Sequence, residues 1–227
     1  WKKTSAQYLV TQLSRVALSS VALGISLPLV ILLEFSLSAT IATILASWIC
    51  LSMLKDLVSK SANKPTRMQG LKSLSLSYYG MQFAHFGVAV MLIGAAMTSN
   101  FSSEKSVLLS SGQSIDLGEY IFLFDGTTSV EGPNYIGDEA HIQVLRDGEF
   151  VRNLNPQRRL YVASGSPSTE MAIDAGFFRD LFITLGEAKE GGAWSMTIYI
   201  KPFIRWVWLG AIFMALGGVI AAGDKRY

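Results

Sequence analysis

Cysteine, histidine and charge are all scarce in this sequence. Among 227 residues there is one cysteine, Cys50, so no intrachain disulfide can form and neither a CxxC redox pair nor a cysteine-built zinc site exists. Cys50 falls inside an apolar stretch, where it reads as a small core residue. Charged residues make up 16% of the chain, against about 25% in an ordinary soluble domain. There is no nucleophile elbow, no HExxH and no phosphate-binding loop. Without a nucleophile–base arrangement, a hydrolase is excluded.

Half of the residues are apolar and the mean hydropathy is positive. Residues 16–33, 37–54, 79–98 and 203–222 form four apolar stretches. A hydrocarbon core of about 30 Å takes around 20 residues of helix, and backbone inside lipid must satisfy its own hydrogen bonds. The stretches therefore predict four transmembrane helices. Only Glu34, Phe35 and Ser36 separate the first two, which predicts a tight helical hairpin.

Basic residues set the orientation. Lys55, Lys60, Lys64, Arg67 and Lys72 stand against one acid, Asp56, between the second and third stretches. Lys2, Lys3 and Arg15 open the chain, and Lys225 and Arg226 close it. All three segments are expected on the cytoplasmic side. Residues 99–201, with 8 Lys and Arg against 14 Asp and Glu, then face outward. The organisation expected is a cytoplasmic start (1–15), a helical hairpin (16–54), a basic cytoplasmic loop (55–78), a third helix (79–98), an outer domain (99–201), a last helix (202–222) and a cytoplasmic tail (223–227). Tyr78, Tyr79, Trp206 and Trp208 are expected as interfacial anchors, and Arg205 as a residue that snorkels to the interface. The sequence starts at Trp1 on a basic segment without a small-residue cleavage site. That suggests the end of a longer polypeptide, or one piece of a split one.

The outer domain reads as short strands. Residues 107–109, 120–124 and 194–200 are rich in β-branched and aromatic side chains. Asp125-Gly126 and Asp147-Gly148 carry hairpin-turn chemistry, because both central positions of a tight turn need positive φ. The clearest hairpin runs from 142 to 151 about Asp147-Gly148. Residues 169–185 fit either a helix or extended chain. The fold class is a membrane α-helical bundle of four helices with an inserted, outward-facing all-β or β-rich domain.

One of the two histidines, His85, lies within the third apolar stretch. An ionisable ring in hydrocarbon is a functional candidate by default; the alternative is a neutral imidazole bonded to a neighbouring helix. At 100° per residue Ala89 and Ala96 fall near its face with Leu92 between them, which leaves room for something flat. Gly80, Gly87 and Gly94 recur every seven residues on nearly the opposite face, a seam that lets another helix approach closely. Neutral imidazole is a good axial ligand for haem iron. No other apolar stretch contains a histidine, so a second axial histidine has to come from elsewhere. His141 reads as a solvated strand or loop residue. Glu170, Asp174, Arg179, Asp180 and Glu187 form a charged run that is either a binding surface or a solvated face. Arg158 and Arg159 have those acids, or a propionate, as candidate partners.

The run Ser77-Tyr78-Tyr79-Gly80-Met81 with Ala84-His85-Phe86-Gly87-Val88-Ala89 resembles a late transmembrane helix of the cytochrome c maturation haem lyase component CcmF, a family that includes CycK and is akin to the CcsA-type haem-handling proteins. Gly132-Pro133-Asn134, Arg159-Leu160-Tyr161, Thr169-Glu170, Asp174, Arg179-Asp180-Leu181 and Leu185-Gly186-Glu187 follow in the family's order. So does the end, from Lys201-Pro202-Phe203-Ile204-Arg205-Trp206-Val207-Trp208 through Gly217-Gly218 to Asp224-Lys225-Arg226-Tyr227. The resemblance implies a protein of the bacterial inner membrane that joins haem to the CxxCH thiols of apocytochrome c. It implies a b-type haem held in the membrane through two histidines, one of them His85. It also implies a CcmE-like haem chaperone, a CcmH-like thiol-handling partner and an amino-terminal portion of the same protein as partners, and no nucleic acid. Arg159, Glu170, Arg179 and Asp180 become candidates for docking or structural roles. The five tryptophans do not form the family's tryptophan-rich haem-cradling segment, so the resemblance is to a carboxy-terminal portion that is expected to be inactive alone. The alternative is a cofactor-free membrane anchor or transport subunit that recruits partners through its β domain.

Overall fold

The computed structural model describes residues 10, 14, 16–26, 36–62 and 65–224. It divides into two compact units, Trp1–Asn100 with Phe203–Tyr227, and Phe101–Pro202.

The first unit is helical: α1 (Val16–Ser26), α2 (Leu37–Ser61), α3 (Arg67–Lys72), α4 (Leu76–Phe101) and α5 (Ile204–Ala222). Three of these, α2, α4 and α5, are long and apolar enough to cross a membrane. At 1.5 Å per residue they measure roughly 38, 39 and 28 Å. Three such helices, rather than four, therefore stand among the described residues. Of the first apolar stretch only α1 is described; Pro28 and the Glu34–Phe35 part of the expected tight turn lie outside the described residues. The packing that a helical hairpin requires is nevertheless present. Thr43 Oγ1 donates to the Gly24 carbonyl at 2.8 Å, and a Cβ on Gly24 would stand 2.6 Å from the Ile44 backbone.

α2 begins where Ser36 caps it, its side chain accepting from the Ala39 amide. It continues beyond residue 54 to Ser61, and the Asp56–Lys60 ion pair at 2.8 Å supports that last stretch at i,i+4 spacing. Hydropathy marks where lipid ends, whereas helix propensity sets where the helix ends, and Lys-Asp-Leu-Val-Ser-Lys contains no breaker.

The glycine seam of α4 meets a matching seam on α5. A Cβ on Gly87 would stand 2.6 Å from the Gly210 carbonyl, and one on Gly80 would stand 2.4 Å from that of Gly217. At Gly94 the nearest atoms are the backbone of Val207 and Trp206, at 2.7 and 2.9 Å. Lipid tails give no hydrophobic drive for helix pairing, so close backbone approach supplies the contact instead.

The second unit is an antiparallel β-sandwich. Its strands are β1 (Ser103–Leu109), β2 (Ser114–Leu117), β3 (Tyr120–Glu131), β4 (Tyr135–Arg146), β5 (Glu149–Leu154), β6 (Gln157–Tyr161), β7 (Ser166–Glu170), β8 (Ala172–Ala175), β9 (Arg179–Ala188) and β10 (Trp194–Pro202). One sheet has the order β1-β10-β9-β8; the other runs β2-β3-β4-β6-β7, with β5 on β4. Alternation at period two fills the space between them. Tyr120, Phe122 and Phe124, then Ala140, Ile142 and Val144, meet Leu181, Ile183, Leu185, Met196 and Ile198, all nearly or fully buried.

The stretch 169–185, open between helix and extended chain, is extended as β7, β8 and the first part of β9. Asp147-Gly148 makes the expected turn, with φ of 52° and 79°. Asp125-Gly126 does not. It lies inside β3, where the register shifts between Phe124 and Gly126 and Gly126 has φ 142°. A bulge uses the same backbone freedom as a turn, so the dipeptide alone does not separate them. The chain turns instead at Gly132-Pro133-Asn134, closed by Gly132 N–H to the Tyr135 carbonyl at 2.9 Å.

Candidate functional site

α4 positions His85. Nδ1 lies 2.8 Å from the Met81 carbonyl, one turn earlier on the same helix. A carbonyl only accepts, so Nδ1 carries the proton, and in the neutral ring Nε2 then carries the lone pair. The side chain is exposed on the helix surface, in line with exposed Met81 and Val88. An imidazole fixed through one nitrogen to a backbone carbonyl, with the other presented outward, is the arrangement that orients a metal-binding histidine.

The surroundings correct one expectation. Ala89, read as leaving room beside His85, is 1% exposed and belongs to a covered face. That face also carries Tyr78, Gln82 and Asn100, which join α4 to α2. Asp56 Oδ2 accepts from Tyr78 Oη at 2.8 Å and from Gln82 Nε2 at 3.4 Å. At the other end Asn100 Oδ1 accepts from Ser36 Oγ and Ser38 Oγ at 2.7 and 2.6 Å. Helices α2 and α5 thus fix α4 along two faces, and His85 stands at the border of the α2 face, open on its other side. The Tyr78–Gln82 spacing of four residues was the sequence signal for this polar link. Its partner, Asp56, read as one acid in a basic loop.

His141 makes a useful contrast. On β4, half-buried, it receives Asn155 Nδ2–H at Nδ1, 3.2 Å away, and its Nε2 lies 2.9 Å from Thr128 Oγ1. Both ring nitrogens are engaged, so it offers no free ligand atom. Among the described residues no three His, Cys, Asp or Glu side chains converge on one point.

The four candidate docking residues separate into two groups. Arg159 and Glu170 face each other across β6 and β7 at 3.9 Å, and the Arg159 guanidinium lies 4.2 Å above the Tyr135 ring. Arg158 pairs instead with Glu187 at 3.2 Å. That hydrogen bond, with a further one from Lys189, holds the Glu187 carboxyl below its ordinary value.

Arg179 and Asp180 belong to a built interior cluster, not to a solvated face. Asp180 is 5% exposed and accepts from the Gly176 amide at 3.0 Å. Asp174, 7% exposed, is held by Arg179 Nη1 at 2.5 Å and Arg152 Nη1 at 3.1 Å. Arg179 Nε also donates to Tyr120 Oη at 2.7 Å. Burial pulls the Arg179 value down, but the bonds to Asp174 and Tyr120 outweigh it and hold the guanidinium above its ordinary value. A buried carboxylate needs such partners. Asp174 sits at an inward position of Ala-Ile-Asp-Ala, and that parity was the one available clue.

Comparison with known proteins follows the same division. The family model described as the CcmF C-terminal beta-sandwich matches residues 100–202. The chain is 40% identical over 227 residues to the cytochrome c-type biogenesis protein CcmF of Pseudomonas aeruginosa, which covers 100% of this chain and 34% of that protein. It is 46% identical over 153 residues to the Escherichia coli protein of the same name, 67% of this chain and 24% of that one. The cytochrome c-type biogenesis protein CycK of Rhizobium meliloti is 33% identical over 186 residues, 80% and 28% of the two chains. A solved structure titled cytochrome c heme lyase CcmF superposes with a TM-score of 0.76 at 19% identity, over 99% of this chain and 36% of that one; at that identity the match speaks for the fold. The chain spans about a third of the length of the curated relatives it matches.

Proposed function

This chain belongs to the CcmF family, and on that footing we propose that it is the carboxy-terminal part of a cytochrome c haem lyase in which His85 is one axial ligand to a b-type haem held within the membrane. One observation carries the reading: His85 Nδ1 is committed to the Met81 carbonyl at 2.8 Å on a helix apolar enough to span a bilayer, which leaves Nε2 as an outward lone pair. An unpartnered imidazole nitrogen in hydrocarbon is costly, and ligation to iron removes that cost. The haem, when bound, would supply electron transfer, and the second axial histidine comes from outside this chain.

What the chain's own residues do is hold and orient. The Met81 carbonyl sets the tautomer and the ring direction. The α2 and α5 contacts keep α4 from rotating, so the ligand nitrogen is presented at one angle. The β-sandwich, expected on the periplasmic side of a bacterial inner membrane, serves as the docking surface for a CcmE-like haem chaperone and for apocytochrome c with its CcmH-like thiol-handling partner. On it, Arg159 and Glu170 are the accessible charged candidates, whereas Arg179 and Asp180 hold the domain together. Attachment of haem to the CxxCH thiols is an activity of the whole protein, to which this part contributes a ligand and a surface.

The test is a reduced-minus-oxidised visible spectrum of the complete membrane protein beside that of His85→Ala at matched protein level. A b-type spectrum lost or converted to a five-coordinate form in the variant, and restored by added imidazole, is the expected result. An unchanged haem spectrum in folded His85→Ala protein refutes the ligand assignment. A folded parent without haem, in which His85→Gln is fully tolerated, favours the cofactor-free anchor.

A further inference from the structure

Beyond the buried Ala140, the inner face of the larger sheet runs on past the strand that covers it. Alternate positions of a strand share a face. The register therefore sets Ser129 beside Asp138 and Asp138 beside Arg158, and in the next row Ile136 beside Leu160 and Leu160 beside Pro167. β9 meets this face only near its own end. Thr169 Oγ1 donates to the Leu185 carbonyl at 3.5 Å, and Arg158 reaches Glu187 at 3.2 Å. Past that line the six residues of the two rows line a cavity of about 460 Å³, a size ordinary for a binding pocket. Ile136 and Leu160 give it an apolar floor, 50% and 42% exposed.

The charges around this floor do not balance. Arg158 is held by Glu187. Arg159, which alternates to the opposite face, is held by Glu170 and the Tyr135 ring. Asp138 is half-buried, and among the described residues its carboxylate makes no hydrogen bond or ion pair. Glu131, opposite Ile136 at the rim, is equally free among them. Two uncompensated carboxylates thus flank the apolar floor, and both arginines beside it are already paired. Residues 99–201 as a whole carry 8 Lys and Arg against 14 Asp and Glu, a field that draws a cationic partner.

Ile136 and Asp138 are two residues apart on one strand, roughly 7 Å. An extended segment laid along β4 has the same period, so it can set an apolar side chain on the floor and a basic one at the carboxylate. We propose that this cavity docks an extended segment of a partner polypeptide with a Lys or Arg and an apolar residue at i and i+2, the cation at Asp138 and the apolar group on Ile136 and Leu160. This rests on the docking role of the β-sandwich and is independent of His85. Paired charges at such a contact supply specificity and register, and the apolar contact excludes water from them.

The experiment uses the complete membrane protein in detergent micelles and the fluorescence anisotropy of a dye-labelled peptide, Gly-Lys-Ser-Leu-Ser-Lys-Gly. Its charge-reversed form, with Glu for Lys, is measured beside it. Saturable binding of the basic peptide is expected, weakened several-fold by Asp138→Asn and by Ile136→Ser, and unchanged by Glu149→Gln, which removes an exposed acid elsewhere on the sheet. Matched thermal unfolding midpoints show that the variants are folded. Equal loss in Asp138→Asn and Glu149→Gln overturns the proposal, because only the general field then attracts the peptide. Tighter binding of the acidic peptide, abolished by Arg158→Met, overturns it in favour of a carboxylate site. Loss in Glu170→Gln with Asp138→Asn unchanged overturns the cavity but keeps the docking role, on the opposite face of the sheet. Absence of saturable binding of the basic peptide overturns it outright, while the haem spectrum of the same preparation reads the His85 assignment separately.

Discussion

A methyl group added at Gly217 is expected to destabilise the helix pair, and one added at its neighbour Gly218 is not. A Cβ on Gly217 would stand 2.5 Å from the Gly80 carbonyl oxygen, 2.6 Å from the Ala84 amide nitrogen and 2.9 Å from Ala84 Cβ. The first of these is nearly an ångström inside the 3.4 Å at which ordinary contact begins. Two of the three neighbours are backbone atoms, so no rotamer change relieves the overlap and α5 must move away from α4. Overpacking of this kind costs about 1–3 kcal/mol. The upper end applies here, because displacement at Gly217 also loosens the Gly210–Gly87 contact two turns away. Gly218 has nothing within 4 Å of its Cβ position, so alanine there only removes glycine's helix penalty, about 1 kcal/mol in water. The two variants should thus differ by about 3–4 kcal/mol. Unfolding by rising SDS fraction in mild detergent, followed through the fluorescence of Trp206 and Trp208, measures the difference. Gly217→Ala should shift the midpoint down, and Gly218→Ala should leave it unchanged or raise it. Equal midpoints would refute the close helix approach and the reasoning built on it.

Arg179→Met leaves the buried Asp174 carboxylate with Arg152 alone and should cost about 3 kcal/mol, whereas Arg152→Met, whose side chain is 60% exposed, should cost about 1 kcal/mol or less; thermal unfolding of the two variants in parallel checks the order. Glu187 titrates below its ordinary value of 4.5 because Arg158 and Lys189 bond its charged form. Its contribution to stability is therefore complete above pH 4.5 and is lost as pH falls through the depressed folded value. A stability difference between the parent and Glu187→Gln should be present at neutral pH and close in acid, and a difference that persisted unchanged into acid would show that the ion pair is not its source.

Several features were legible from local sequence because their physics is local. A run of apolar residues long enough to cross lipid predicts a spanning helix wherever it occurs, and α2, α4 and α5 follow from it. Enrichment in β-branched and aromatic side chains marked residues 120–124 as a strand, and Asp147-Gly148 fixed its own turn through the positive φ of both residues. The seven-residue glycine spacing on α4 announced a close helix neighbour. Gly210 and Gly217 carry the same spacing on α5, so even the identity of that neighbour had a signal in the sequence.

Other features depend on which distant residue arrives opposite, and no local pattern carries that. Asp125-Gly126 has the chemistry of a turn, and only its pairing with β4 makes it a bulge. The acids and arginines of 170–187 read as one charged run, until the strand register sends Asp174 and Asp180 inward and leaves Glu187 outside. His85 was visible as an ionisable residue in an apolar helix. The direction of its free nitrogen is set locally, by the Met81 carbonyl one turn earlier on the same helix, whereas the closure of the neighbouring Ala89 face depends on the packing of the bundle. Sequence by itself determined the elements and the residue types available to them. The tertiary structure decided which charges are buried and paired and which helix faces are closed, because desolvation and hydrogen bonding are properties of the surroundings that folding assembles.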